Sequence, residues 1–146
     1  MKRLTTFALA TALALGSWTA ALAEAAHKVA IQVNANDPAV MNLALNNAKN
    51  LQAYYAGKGE TVDVEIVTYG PGLHMFMADS PVKDRISAMS MESDGAMHFS
   101  ACANTIAAME RKSGSKPELL SEAKVVPSGV VRLMELQEQG YSYIKP

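Results

Sequence analysis

The chain has one cysteine in 146 residues, which excludes an internal disulfide and any zinc arrangement built on several thiolates. Three histidines accompany it, and their spacing fits no metalloprotease pattern. Charge of one sign is lacking too, with 13 basic residues facing 14 acidic ones for a formal net charge of −1. No basic cluster interleaved with aromatics occurs, so no nucleic-acid partner is expected. Past the N-terminal stretch, no apolar run approaches the length of a membrane span. Internal repeats, low-complexity tracts and linkers are missing as well. The length suits a single domain.

The N-terminus carries an address. Lys2 and Arg3 form a short positive segment, Leu4 to Leu15 is apolar, and Ala21-Leu22-Ala23 is a small-x-small cleavage site. Residues 1–23 therefore read as a secretory signal peptide, too short in its apolar part to span a bilayer. No twin arginine precedes the apolar run, and no cysteine near the cut could take a lipid. The mature domain is expected at residues 24–146, periplasmic or secreted. Losing two of the 13 basic residues leaves it at about −3. In an oxidising compartment a lone cysteine is buried and inert, paired between chains, or kept free for chemistry.

Strand and helix patterns alternate along the mature chain. Lys28 to Val33 is a Val/Ile-rich strand, and Asp37 is the expected N-cap of a helix with Pro38 at its first position. Met41, Ala44, Ala48, Leu51 and Tyr55 then recur at steps of three and four. Thr61 to Thr68 alternates, with Val62, Val64 and Ile66 on one side and Asp63 and Glu65 on a side expected to be wet. After the Tyr69-Gly70-Pro71-Gly72 turn, Leu73 to Ala78 is weakly helical, and a helix is expected over 82–91. Ala96 to Ala101 is the third strand, followed by Cys102 and a helix over 104–112. One helical turn is expected over 118–121, a fourth strand over 123–126, a helix over 130–139 and a last strand over 141–145. This order predicts an α/β domain of three α/β/α layers on a parallel sheet.

In such sheets ligands sit at the carboxyl ends of the strands. That edge is made by 34–38, 69–74, 102–105 and 127–130. Cys102 stands on it, with Asn104 and Thr105 opening the next helix. A helix N-terminus favours a thiolate over a thiol, so the expectation is a low-pKa, solvent-reachable sulfur. The bland alternative is a small buried hydrophobe, as most lone cysteines are. His98 shares a strand face with Cys102, but four strand residues separate them by roughly 13 Å, which suits a sheet residue better than a base. His74, in the adjacent turn, could approach the sulfur or be a solvated loop residue.

Other constellations are weaker. His74-Met75-Phe76-Met77 and Met89-Ser90-Met91 carry soft ligands of the kind that take Cu(I), yet methionine also fills cores and interfaces. Gly70-Pro71-Gly72 lacks the spacing of a phosphate loop, and Pro71 lacks an N–H. Ser128-Gly129 lacks the pattern of a nucleophile elbow.

Five segments together resemble the DsrE/DsrF-like sulfur-relay family. They are Tyr69-Gly70-Pro71-Gly72-Leu73, Asp79-Ser80-Pro81-Val82, Ala101-Cys102-Ala103-Asn104-Thr105, Val125-Val126-Pro127-Ser128-Gly129-Val130 and Gln137-Glu138-Gln139-Gly140-Tyr141. The resemblance runs from about His27 to the C-terminus. It implies a five-stranded parallel sheet, assembly as a trimer or hexamer, and a cysteine, matched by Cys102, that carries persulfide sulfur between partners. The resulting expectation is an exported persulfide carrier, at most sulfurtransferase-like, with Cys102 as its nucleophile and no cofactor or resident metal. Asn34, Asn36, His74 and Asn104 are the candidates to line its mouth, with Met75, Phe76 and Met77 offered to an oligomer interface. The sulfur donor and acceptor stay open. The alternatives are a periplasmic Cu(I) or small-ligand binding module and a structural oligomer with a buried Cys102.

Overall fold

A computed structural model describes residues 25–146, so the signal-peptide segment lies outside the described residues. The strands are β1 (His27–Val33), β2 (Val62–Thr68), β3 (Met97–Cys102), β4 (Ala123–Val126) and β5 (Ser142–Ile144). The helices are α1 (Pro38–Ala56), α2 (Lys83–Glu92), α3 (Ala103–Ser113) and α4 (Gly129–Glu138). The Asp37 side chain accepts from Ala39 N at 2.8 Å and caps α1. Gly114, in the left-handed region at φ 80°, ends α3.

All strand pairs are parallel, in the order β4-β3-β2-β1-β5. From β1 to β4 the chain steps always in one direction, so right-handed crossovers put α1, α2 and α3 on one face. The return to β5, beside β1, sends α4 across the other. The packing agrees. On the first face Val29, Ile31, Val64, Ile66 and Phe99 bury against Met41, Leu45, Ile86 and Ile106. On the second, Leu133 and Leu136 of α4 meet Ala30 and Val67 in a small cluster. The three layers are therefore unequal, and among the described residues a single helix covers the back of the sheet.

Two local expectations change. The weakly helical stretch is a 3-10 segment, Gly70–Phe76, in which Met75 and Phe76 are fully buried. They are core and cannot supply an interface patch, because the tight turn aims them under the sheet beside Leu73. Gly72 permits this approach, since a Cβ there would sit 2.3 Å from the Val33 carbonyl oxygen. No helical turn forms over 118–121. Leu119 instead makes an antiparallel bridge with Met77, and backbone bonds from Ala78 and Leu120 tie the loop to the 3-10 segment.

Candidate functional site

Cys102 is the last residue of β3 and the N-cap of α3. Extended backbone (φ −72°, ψ 116°) turns directly into helix. The strand leading to it is buried through Phe99, Ser100 and Ala101, and Cys102 itself is only 3% exposed. It is thus less open than the sequence predicts, lying just beneath the surface at the sheet's carboxyl edge.

A second helix points at it. β4 runs beside β3 with Val126 opposite Cys102, so the turn through Pro127 and Ser128 brings the start of α4 next to the sulfur. Gly129, the first residue of α4, fits tightly there, since a Cβ would lie 3.0 Å from Tyr69 Cδ1 and 3.3 Å from the Thr68 carbonyl. Burial pushes the Cys102 thiol up. The Gly129 N–H, the Thr105 hydroxyl and the N–H groups of Thr105 and Asn104 more than offset this, leaving it below the ordinary thiol value. Of these four groups, the α3 N–H groups make no capping hydrogen bond to the side chain. Together the four act as dipoles gathered around the sulfur from two helix N-termini, which is the polarity that stabilises an anion.

Thr105 is legible in the sequence only as a helix-opening residue, and it does more. Its Oγ1 accepts from Gly70 N at 2.9 Å. That bond occupies a lone pair and leaves the hydroxyl proton to be directed at the sulfur.

Beside this centre a cavity of about 960 Å³ opens between the 3-10 segment and α3. Asn36, His74 and Asn104 line it, as does Thr105, whereas Asn34 and Cys102 do not. Asn34 lies half-buried after β1, close against Gly72. His74 does not join the thiol. Its Nδ1 is 2.9 Å from Asn36 Oδ1 and its Nε2 3.2 Å from Asp79 Oδ1. His98 is likewise engaged elsewhere, with Nε2 3.0 Å from Asp63 Oδ1.

The acids of β2 do not form a wet face. Glu65 is 3% exposed and takes two bonds from Arg132 of α4, Nε to Oε1 and Nη2 to Oε2, both at 2.7 Å. Ser100 Oγ adds a third at 2.5 Å. Burial alone would raise the Glu65 carboxyl, but these bonds and the charges of Arg132 and His98 hold it below the usual carboxylate range. Tyr141 OH donates to Asp63 Oδ2 at 2.5 Å, and its phenol is pushed up by burial and by that carboxylate. The result is a polar clamp that seats α4, and with it Gly129, on the sheet.

The model of the DsrE/DsrF-like family matches residues 19–146. A solved structure of a protein of unknown function from Methanobacterium thermoautotrophicum is 28% identical, with a TM-score of 0.70 over 82% of this chain and 99% of that one. Comparison with curated proteins found no match.

Proposed function

The chain belongs to the DsrE/DsrF-like family, and on that premise we propose that it carries sulfane sulfur on Cys102. The observation that carries this reading is the convergence of the α3 and α4 N-termini, with the Thr105 hydroxyl, on one sulfur. Such an arrangement favours the thiolate without a histidine partner. The thiolate attacks the outer sulfur of a persulfide R–S–SH. The new bond forms at that sulfur, the old S–S bond breaks, and its electron pair leaves on R–S⁻. An acceptor thiolate then attacks the outer sulfur of Cys102-S-SH and regenerates Cys102. No net oxidation occurs, and the protein acts as a carrier.

Incubating native protein with inorganic polysulfide should add one sulfur to Cys102 by mass, and Cys102→Ser should add none. A thiol that alkylates only after unfolding and never gains sulfur would overturn the reading in favour of a core cysteine.

The methionines singled out for Cu(I) are scattered: Met75 and Met89 are buried in the core, Met91 is 78% exposed, and Met77 alone of them lines the cavity with His74. Both ring nitrogens of His74 are engaged.

Export and oligomerisation belong to the same proposal. Assembly is what the resemblance implies, and the exposed residues Val130, Val131 and Met134 form one stripe on α4, the kind of apolar surface that monomers seldom leave open. Among the described residues no helix is long and apolar enough to cross a membrane. Native mass spectrometry of protein recovered from the cell envelope should show a protomer starting at Glu24, in a trimer or a multiple of one. A monomer retaining residues 1–23 would count against both.

A further inference from the structure

The cavity beside Cys102 has a shape and a polarity that the carrier reading alone does not use. Thr105, Ala108, Met109 and Lys112 all line it. Their spacing of three, four and seven residues makes them one stripe along α3. The cavity therefore runs along the helix from its N-terminus, at the sulfur, toward its C-terminus. From Thr105 to Lys112 that is roughly 10 Å of helix axis at 1.5 Å per residue. Pro71 and Met77 from the 3-10 segment and the residue after it also line it.

Each end has its own chemistry. At the inner end stand Asn104 and Thr105 from the start of α3, and Thr105 is both cavity wall and neighbour of the sulfur; Asn36 and His74 add further polar groups to the lining. The middle is apolar, from Ala108, Met109, Met77 and Pro71. Lys112, exposed near the C-terminus of α3, lines the outer end with Ser113, Ser115 and Pro117. A volume of about 960 Å³ lies in the range of sites that enclose small organic molecules. Inorganic polysulfide needs no apolar walls, and a sulfur only 3% exposed admits a slender sulfane terminus more readily than the surface of a folded partner.

We infer that the cavity is the donor site for a low-molecular-weight organic persulfide. Its sulfane sulfur enters past Thr105, its apolar body lies along Ala108 and Met109, and an anionic group at its far end meets Lys112. This rests on the carrier reading and adds the substrate class. The chemistry is unchanged: the outer sulfur moves to Cys102, the S–S electron pair leaves on the organic thiolate, and the released thiol vacates the cavity.

The test compares three donors on one protein: the hydropersulfide of 8-mercaptooctanoic acid, that of the neutral 8-mercapto-octanol, and inorganic polysulfide. Sulfur on Cys102 is read by mass against time. Ala108 and Lys112 both lie outside the buried core, so Ala108→Trp and Lys112→Glu leave it untouched. The wild-type protein should prefer the anionic organic donor over the neutral one by roughly fivefold in second-order loading rate, as suits an exposed charge pair. Lys112→Glu should erase or invert that preference. Ala108→Trp, by displacing the body of the donor, should slow both organic donors by about a hundredfold. Neither variant should change loading from polysulfide. Organic transfer indifferent to both variants, with polysulfide loading intact, overturns the donor site and leaves the carrier reading standing. Failure of all three donors to load Cys102 of the wild-type protein overturns the carrier reading, and the donor site with it.

Discussion

Arg132→Met is expected to destabilise the domain by about 3 kcal/mol at neutral pH, toward the lower end of the loss seen when a buried ion pair is stripped of one partner. Glu65 is 3% exposed and receives both of its strongest bonds from that guanidinium. Without them Ser100 alone cannot compensate a buried negative charge. The lower end applies because Arg132 keeps 27% of its side chain exposed, so solvent already shares its charge. Against a typical domain stability of about 5–15 kcal/mol, that is a loss readily seen in urea unfolding.

The pH dependence has a definite sign. In the wild-type protein the Glu65 carboxyl lies below its unfolded value. The stability it contributes is fully present above the unfolded pKa and is lost as pH falls through the folded one. In Arg132→Met the carboxyl is raised by burial instead, so the variant's deficit should shrink as acid protonates it. Unfolding measured at neutral pH and near pH 4 should show the two proteins converging. A deficit of equal size at both would mean that Arg132 acts through packing and not through charge. Replacing the pair together, as Glu65→Leu with Arg132→Met, should recover most of the loss.

That clamp also marks how far the sequence can be read. Alternation within 61–68 correctly places Asp63 and Glu65 on one face. It suggests water there, because the covering cation stands 67 residues later and nothing local announces it. The same limit applies at the thiol. The strand end and the helix after it are contiguous in the chain, so one helix N-terminus at Cys102 is legible. The second comes from Gly129, which reaches the sulfur only because β4 pairs with β3, and strand order is not written in local periodicity. Met75 and Phe76 fail as an interface for a related reason. A short segment without a clear period does not say which way its side chains turn, and here Gly72 lets them turn inward. Of the residues expected at the mouth, Asn36, His74 and Asn104 share one cavity. Asn34 sits against the Gly72 backbone instead.

The hydroxyl of Thr105 is expected to help hold the Cys102 thiol below its ordinary value, beside the N–H groups of Gly129, Thr105 and Asn104. Gly70 N–H fixes the orientation of this hydroxyl from the other side. Thr105→Val keeps the volume and removes the donor, whereas Thr105→Ser keeps the donor. Exchange of Cys102 with a small disulfide, followed against pH, separates their effects. In Thr105→Val the midpoint should rise, so that the thiolate fraction at neutral pH falls and exchange slows with it. Above the midpoint the order should reverse. A thiolate of higher pKa is intrinsically more nucleophilic, with a Brønsted slope of about 0.4–0.5, so the plateau rate of the valine variant should exceed the wild-type one. Thr105→Ser should follow the wild-type curve at both ends. This crossing of the curves is what loss of an electrostatic donor produces. A uniform rise or fall across the whole pH range would instead mean that Thr105 merely shields the sulfur, and that the thiolate is held by the two helix N-termini alone.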